Sequence, residues 1–315
     1  MQMNNKRIII VGIVLVVVLI SLFFLFKKND TTYETYNTDS PSRLEGVHLI
    51  VSDLDKISAF YQQVIGFDIL TEEQSKVTLT ADGHTPLLVL EEVEDTVERP
   101  IGTTGLYHLA ILMPDHASLG TMLLHLSETK YPMQGAANHQ YSDALYLADP
   151  DGNGVEIYAD LPPTSWERDK DGGYVGGTNP IDFEKLVEEA SPSWMGLPED
   201  TRVGHMHLQA SELEITEQFY VDGLGFDITT KGNGSLFLSK DSYHHHIALN
   251  TWAGTDLPSP PSNSRGLKKF TIIFTQEELD EAKLQLKRLE FPFDEKEDSI
   301  IVQDPSGNTL HIVTK

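Results

Sequence analysis

Twelve histidines and no cysteine set the chemistry open to this 315-residue chain. Without Cys there is no disulfide, no thiolate metal site, no thiol nucleophile and no lipid-modified Cys. What remains is imidazole and carboxylate, which suit proton transfer near neutral pH and the ligation of divalent metals. These groups sit in repeated contexts. DPDGNGVEIY (149–158) and DPSGNTLHIV (304–313) match, with Glu156 in one where His311 stands in the other. GVHLIV (46–51) and HMHLQA (205–210) match, with His48 on His207. SYHHHIALN (242–250) holds His244, His245 and His246 in succession. Read as a strand, it puts His244 and His246 on one face and His245 on the other.

The repeats extend beyond the histidines. Residues 46–70 align with 205–229, and GLYHLAIL (105–112) aligns with GLKKFTII (266–273). Each half divides again into two units that begin with a short alternating strand followed by a helix. In the first unit Leu54, Ile57, Tyr61 and Val64 have helical spacing, with Ser52 or Asp53 as N-cap. In the second, a helix from about Pro114 turns Leu119, Met122, Leu123 and Leu126 inward, and Leu279, Ala282, Leu286 and Leu289 repeat that face in the fourth. Three more strands complete each unit. The pattern predicts an α+β body of four βαβββ modules, at 46–92, 105–159, 204–252 and 266–314. Residues 160–203, rich in Pro, Gly and charge, read as a linker with one helix after Asn179-Pro180.

Ile8–Phe26 is nineteen residues without a charge, flanked by Lys6, Arg7, Lys27 and Lys28. At 1.5 Å per residue it can cross a ~30 Å hydrocarbon core, and Phe23, Phe24 and Phe26 do not suit a signal-peptidase site. The expectation is a single-pass anchor over 1–28, a polar tether over 29–44 and a body outside the cell membrane. Removing the first 28 residues leaves 19 of the 23 basic residues against all 48 acids, a formal charge of −29. Such a body repels nucleic-acid phosphates, so nucleic acid is set aside as a partner.

Four such modules closed by DP-x-GN turns resemble the vicinal oxygen chelate superfamily, which includes glyoxalase I, bleomycin-resistance proteins and type I extradiol dioxygenases. GLYHLAIL, ALYLADPDGNGVEIY, GHMHL and SYHHHIALNTW resemble more narrowly the catechol 2,3-dioxygenase-like proteins of bacilli. The resemblance implies that modules pair into cups, one from 45–159 and one from 204–315. It implies inward-facing metal ligands at His48, His108 and Glu156. Two neutral imidazoles and a carboxylate hold Fe(II), or Mn(II) or Zn(II), and leave three positions open for a chelating substrate and O2. His139 is a candidate acid–base group and Tyr146 a candidate hydrogen-bond donor beside them. His84, in the turn ADGHTP, is a weaker candidate.

In the second half Lys269 and His311 replace the second His and the Glu, which breaks the set. His207, His246 and His311 remain candidates for a second, all-His site suited to Zn(II) or Cu(II). In the extradiol dioxygenases a His-His pair near the place of SYHHHIALN includes the acid–base group. The leading expectation is a ring-cleaving dioxygenase that takes a catechol-like small molecule and O2. Two others stay open: a membrane-tethered, non-catalytic binding or resistance module, and a Zn-, Mn- or Ni-dependent glyoxalase-like lyase or isomerase. A homo-dimer is left open.

Overall fold

The computed structural model describes residues 43–191 and 193–315. The four modules are present at the expected places. The first runs β1 (Leu44–Val51), α1 (Leu54–Phe60), β2 (Asp68–Glu73), β3 (Lys76–Thr80) and β4 (Leu88–Glu92). The second runs β5 (Gly105–Met113), α2 (His116–Thr129), β6 (Met133–Asn138), β7 (Ser142–Ala148) and β8 (Gly154–Asp160). After α3 (Phe183–Glu189) comes the third, β9 (Arg202–Gln209), α4 (Leu213–Glu217), β10 (Asp227–Gly232), β11 (Ser235–Ser239) and β12 (Ile247–Asn250). The fourth runs β13 (Gly266–Phe274), α5 (Gln276–Arg288), β14 (Phe293–Lys296), β15 (Ser299–Gln303) and β16 (Thr309–Thr314).

Local chemistry starts the helices where the chain requires them. Asp53 caps α1 by accepting from the Lys56 amide, and Asp115 caps α2 by accepting from the Ser118 amide. Thr275 and Glu278 form a capping box on α5. Each such cap contributes about 1 kcal/mol. The linker helix α3 begins after Asp182, whose carboxylate accepts from the Lys185 amide, rather than directly at Pro180.

The modules do not pair in sequence order. One eight-stranded sheet has the order β14-β15-β16-β13-β1-β4-β3-β2, and the other β10-β11-β12-β9-β5-β8-β7-β6. The first module therefore joins the fourth through antiparallel β1 and β13, and the second joins the third through β5 and β9. This corrects the expected cups at 45–159 and 204–315. The physical reason is that every module offers the same leading strand, so the repeat alone does not choose its mate. Modules that are neighbours in sequence meet elsewhere. Tyr61, in the wide helical turn after α1, donates to Asp149 across 3.2 Å, and Tyr220, in the matching turn after α4, donates to Asp304 across 3.1 Å.

Strand alternation then sorts the side chains of the second sheet. Val155, Ile157 and Ala159 on β8, Met206 and Leu208 on β9, and Leu109 and Ile111 on β5 face the helices in one continuous apolar core. Each buried Leu or Ile there contributes about 1.5–3 kcal/mol. Glu156, His205, His207 and His108 take the opposite face, which forms the cup.

The expected membrane localisation is corrected. No helix among the described residues is long and apolar enough to cross a membrane. The expected span at Ile8–Phe26 and nearly all of the expected tether lie outside the described residues.

Candidate metal centre

The concave face of the second sheet encloses a cavity of about 940 Å³. β5, β8 and β9 run side by side beneath it and each contributes one ligand-type side chain. Glu156 Oε2 lies 2.9 Å from His108 Nε2 and 3.2 Å from His205 Nε2, and the two imidazole nitrogens are 3.3 Å apart. Three ligands on one face of an octahedron with bonds of about 2.1 Å sit about 3.0 Å from one another, so the three atoms fit a divalent ion. All three residues are buried.

The protonation state also fits. Burial alone would raise the Glu156 carboxyl, but the adjoining His205 and His108 outweigh it and hold the pKa well below the usual range. Burial lowers His205 to about 4 against the pull of Glu156. At neutral pH the site therefore offers a carboxylate beside a neutral imidazole, which is the state that ligates a cation.

His108 and Glu156 are thus brought together as expected, and His48 is not among them. His48 lies on β1 in the other sheet, with Nε2 2.6 Å from Glu91 Oε2. Its place is taken by His205, two residues before His207 in HMHL. Those two share a face of β9, so the spacing carried the signal. The alignment of His48 with His207 drew attention to the wrong member. In the β5–β9 pairing His108 stands opposite His207 and Ala110 opposite His205, yet it is His205 Nε2 that reaches His108 Nε2. His207 stays in the cup, edge-on to His108 with ring centroids 4.7 Å apart, and Asn250 Nδ2 donates to its Nε2 across 3.0 Å.

His139 and Tyr146 also line the cavity. Tyr146 stands directly across from Glu156 in the β7–β8 pairing. His139 Nδ1–H donates to the Gly177 carbonyl at 2.6 Å, which leaves Nε2 to accept from the Tyr146 hydroxyl at 2.6 Å. Burial, then the Glu156 charge, holds Tyr146 firmly as a phenol.

The three consecutive histidines precede β12 rather than lying on it, and each has a separate role. His244 Nε2–H donates to Asp160 Oδ1 at 2.8 Å, so its Nδ1 accepts from His245 Nδ1–H at 2.8 Å. His245 is left with an unprotonated Nε2, lines the cavity and packs 4.2 Å from His205 by ring centroids. Burial keeps it neutral by lowering its pKa well below that of a free imidazole. His246 Nδ1 instead accepts from the Lys240 amide, and it does not line the cavity. His311 is on β16 in the other sheet, where burial and then Lys269 lower its pKa. His207, His246 and His311 are therefore not assembled, and the expected second site is corrected on that ground. His84 is 82% exposed in its turn, away from the cavity.

The linker forms one side of the cup. Tyr174 N donates to Thr229 O and Thr230 Oγ1 to Tyr174 O, which ties the segment to the β10 edge of the sheet. Asn138 and Asn179 exchange two backbone hydrogen bonds at the β6 edge. Between these ties Gly176, Gly177 and Thr178 form part of the cavity wall. Nothing in the linker's composition distinguished this strap from a spacer.

With this geometry in place, comparison with known proteins is direct. The sequence profile of the Glyoxalase/Bleomycin resistance protein/Dioxygenase superfamily matches residues 43–157 and 202–312. Catechol-2,3-dioxygenase of Bacillus subtilis is 45% identical over 262 residues, 82% of this chain and 92% of that protein. Among solved structures, a dioxygenase-type protein from Bacillus subtilis aligns with a TM-score of 0.56 at 12% identity, covering 87% of this chain and 86% of that one. Glyoxalase I from Zea mays aligns with a TM-score of 0.55 at 15% identity, covering 86% of this chain and 92% of that one. At these identities the two structures share the fold alone.

Proposed function

Because the chain belongs to the glyoxalase/bleomycin resistance protein/dioxygenase superfamily, we propose that it is an extradiol dioxygenase that cleaves the ring of a catechol-like substrate with O2. The enzyme reading draws on the 45% identity to a catechol dioxygenase over most of both chains, and this favours catalysis over a non-catalytic binding module. The observation that carries the site is the convergence of His108 Nε2, His205 Nε2 and Glu156 Oε2 within 3.3 Å of one another in the cavity wall. These three residues would hold a divalent ion, Fe(II) foremost and otherwise Mn(II) or Zn(II), which when bound would act as a Lewis acid on vicinal substrate oxygens and bring O2 to them.

The chain's own residues supply the rest. His245 Nε2, unprotonated because Nδ1–H is committed to His244, accepts a proton from a substrate hydroxyl. Asp160 holds His244 in the tautomer that makes this so. Tyr146, fixed by its hydrogen bond to His139, orients the substrate oxygen beside Glu156. Gly176–Thr178 form part of the wall beside these groups.

The test is anaerobic loading with Fe(II), followed by oxygen uptake and the appearance of a ring-cleaved product with catechol. Stoichiometric uptake that disappears in His205→Ala is expected. A loaded protein that rearranges or lyses substrate without consuming oxygen would establish a glyoxalase-like reaction instead.

A further inference from the structure

Arg99 lies in the segment between β4 and β5 and lines the cavity. Nη1 donates to the Leu106 carbonyl at 2.6 Å, its one hydrogen bond among the described residues. Gly105 permits that approach: a Cβ there would stand 3.1 Å from Nη1, and its backbone has φ +122°. No carboxylate of the described residues lies within ion-pairing distance of Arg99, although the chain has 48 acids. Neighbouring Glu98 is turned to Arg265, which also pairs with Asp151. Arg43, another partly buried arginine, has both Asp241 and Glu278. Burial lowers the Arg99 pKa and no acid opposes it. Half-buried Arg99 thus lines the cavity with most of its five guanidinium N–H donors uncommitted.

Its position suits a substrate arm. Leu106, to which Arg99 is tied, precedes His108 by two residues on β5, about 7 Å along the strand. One aromatic ring and a short side arm span that interval. Gln209 and Trp252 line the same cavity and offer an amide and an indole face to such a ring.

We propose that Arg99 is an anion subsite, and that the substrate is a catechol carrying a carboxylate on its ring or on a short arm. The proposal rests on the dioxygenase reading for the catechol half of the substrate, whereas the carboxylate half rests on Arg99 itself. The planar fork of the guanidinium favours two-point binding of the carboxylate.

Calorimetric titration with two monophenols tests this without metal chelation: 4-hydroxyphenylacetate and its uncharged amide, 4-hydroxyphenylacetamide. The wild-type chain is expected to bind the acid about tenfold more tightly than the amide. Arg99→Gln is expected to erase that preference, and Arg99→Lys to retain part of it. Equal affinity of the wild type for acid and amide, or a preference that survives in Arg99→Gln, overturns the proposal. Oxygen uptake by the wild type with catechol decides the dioxygenase reading separately, since the acid-to-amide ratio is measured without turnover.

Discussion

The two eight-stranded sheets are built from the same module pairing and carry opposite chemistry at equivalent points. The repeat sets Gly46 against His205, Lys269 against His108 and His311 against Glu156. Ile301, which faces His311 across β15 and β16, stands where Tyr146 faces Glu156. Three substitutions therefore remove the candidate ligand set, and a fourth removes its hydroxyl neighbour, while every strand stays in place. In the first sheet Lys268 pairs with Glu91 at 2.7 Å, and His48 Nε2 lies 2.6 Å from the same carboxylate. The fold supplies the positions, and a few side chains decide whether a position ligates a cation or sits among cations.

The sharpest way to break the comparison is to delete one histidine from each sheet. His205→Ala is expected to lower metal affinity more than about 100-fold, because it removes a ligand where second-layer changes alone cost 10–100-fold. His48→Ala is expected to leave the metal content per chain unchanged. Metal analysis after dialysis measures both, and the reverse result would return the site to the ligand set expected from the sequence.

A smaller effect tests the fourth difference. Tyr146→Phe is expected to keep the metal and lower turnover about 10–100-fold, since it loses the hydroxyl that His139 fixes beside Glu156. Steady-state oxygen uptake on metal-loaded protein is the measurement. Unchanged turnover would make Tyr146 a packing residue like its counterpart Ile301.

The modules were legible in the sequence because they are periodic: alternating strands, helical faces and Asp caps all declare themselves locally. His108 and Glu156 were legible through the resemblance to the vicinal oxygen chelate superfamily, which implies ligands on the leading and last strands of the second module. His205 was hidden by a two-residue choice within HMHL, because His205 and His207 share one face of β9 and only the side-chain distances separate them. The mating of the second module with the third was hidden because all four leading strands are alike. Arg99 and the strap at 174–179 were hidden for another reason. Their roles depend on where an irregular segment crosses the cup, and no pattern of hydrophobicity records that.

The first sheet has its own pH signature. Burial lowers His48 to about 4, with Lys268 adding to it and Glu91 opposing. A histidine whose folded pKa lies below the unfolded value of about 6.5 binds fewer protons in the native state, so stability rises with pH between about 4 and 6.5 and falls as pH drops through that window. After allowance for solvent screening, His48→Gln is expected to remove about 1–2 kcal/mol of this dependence. Urea denaturation of the metal-free protein at pH 7 and pH 5 measures it, and an undiminished slope in the variant would assign the dependence to other histidines.

The smallest expected difference lies where the halves must be the same. The DP-x-GN turns use Gly152 at φ +84° and Gly307 at φ +83°, a region that costs other residues. Each turn presents a buried Asp whose partners match one for one. Asp149 accepts from the Asp151 and Asn153 amides and from Asn153 Nδ2, and Tyr61 donates the fourth bond. Asp304 accepts from the Ser306 and Asn308 amides and from Asn308 Nδ2, and Tyr220 donates the fourth. Burial raises both carboxyls, so each donor counts. Tyr61→Phe and Tyr220→Phe are each expected to cost about 1 kcal/mol, the same within error, with no change in metal content. Denaturation midpoints compare the two. If Tyr61→Phe alone loosened the metal, the turn beside β8 would be coupled to the site through Glu156, and the two turns would share a structure without sharing a role.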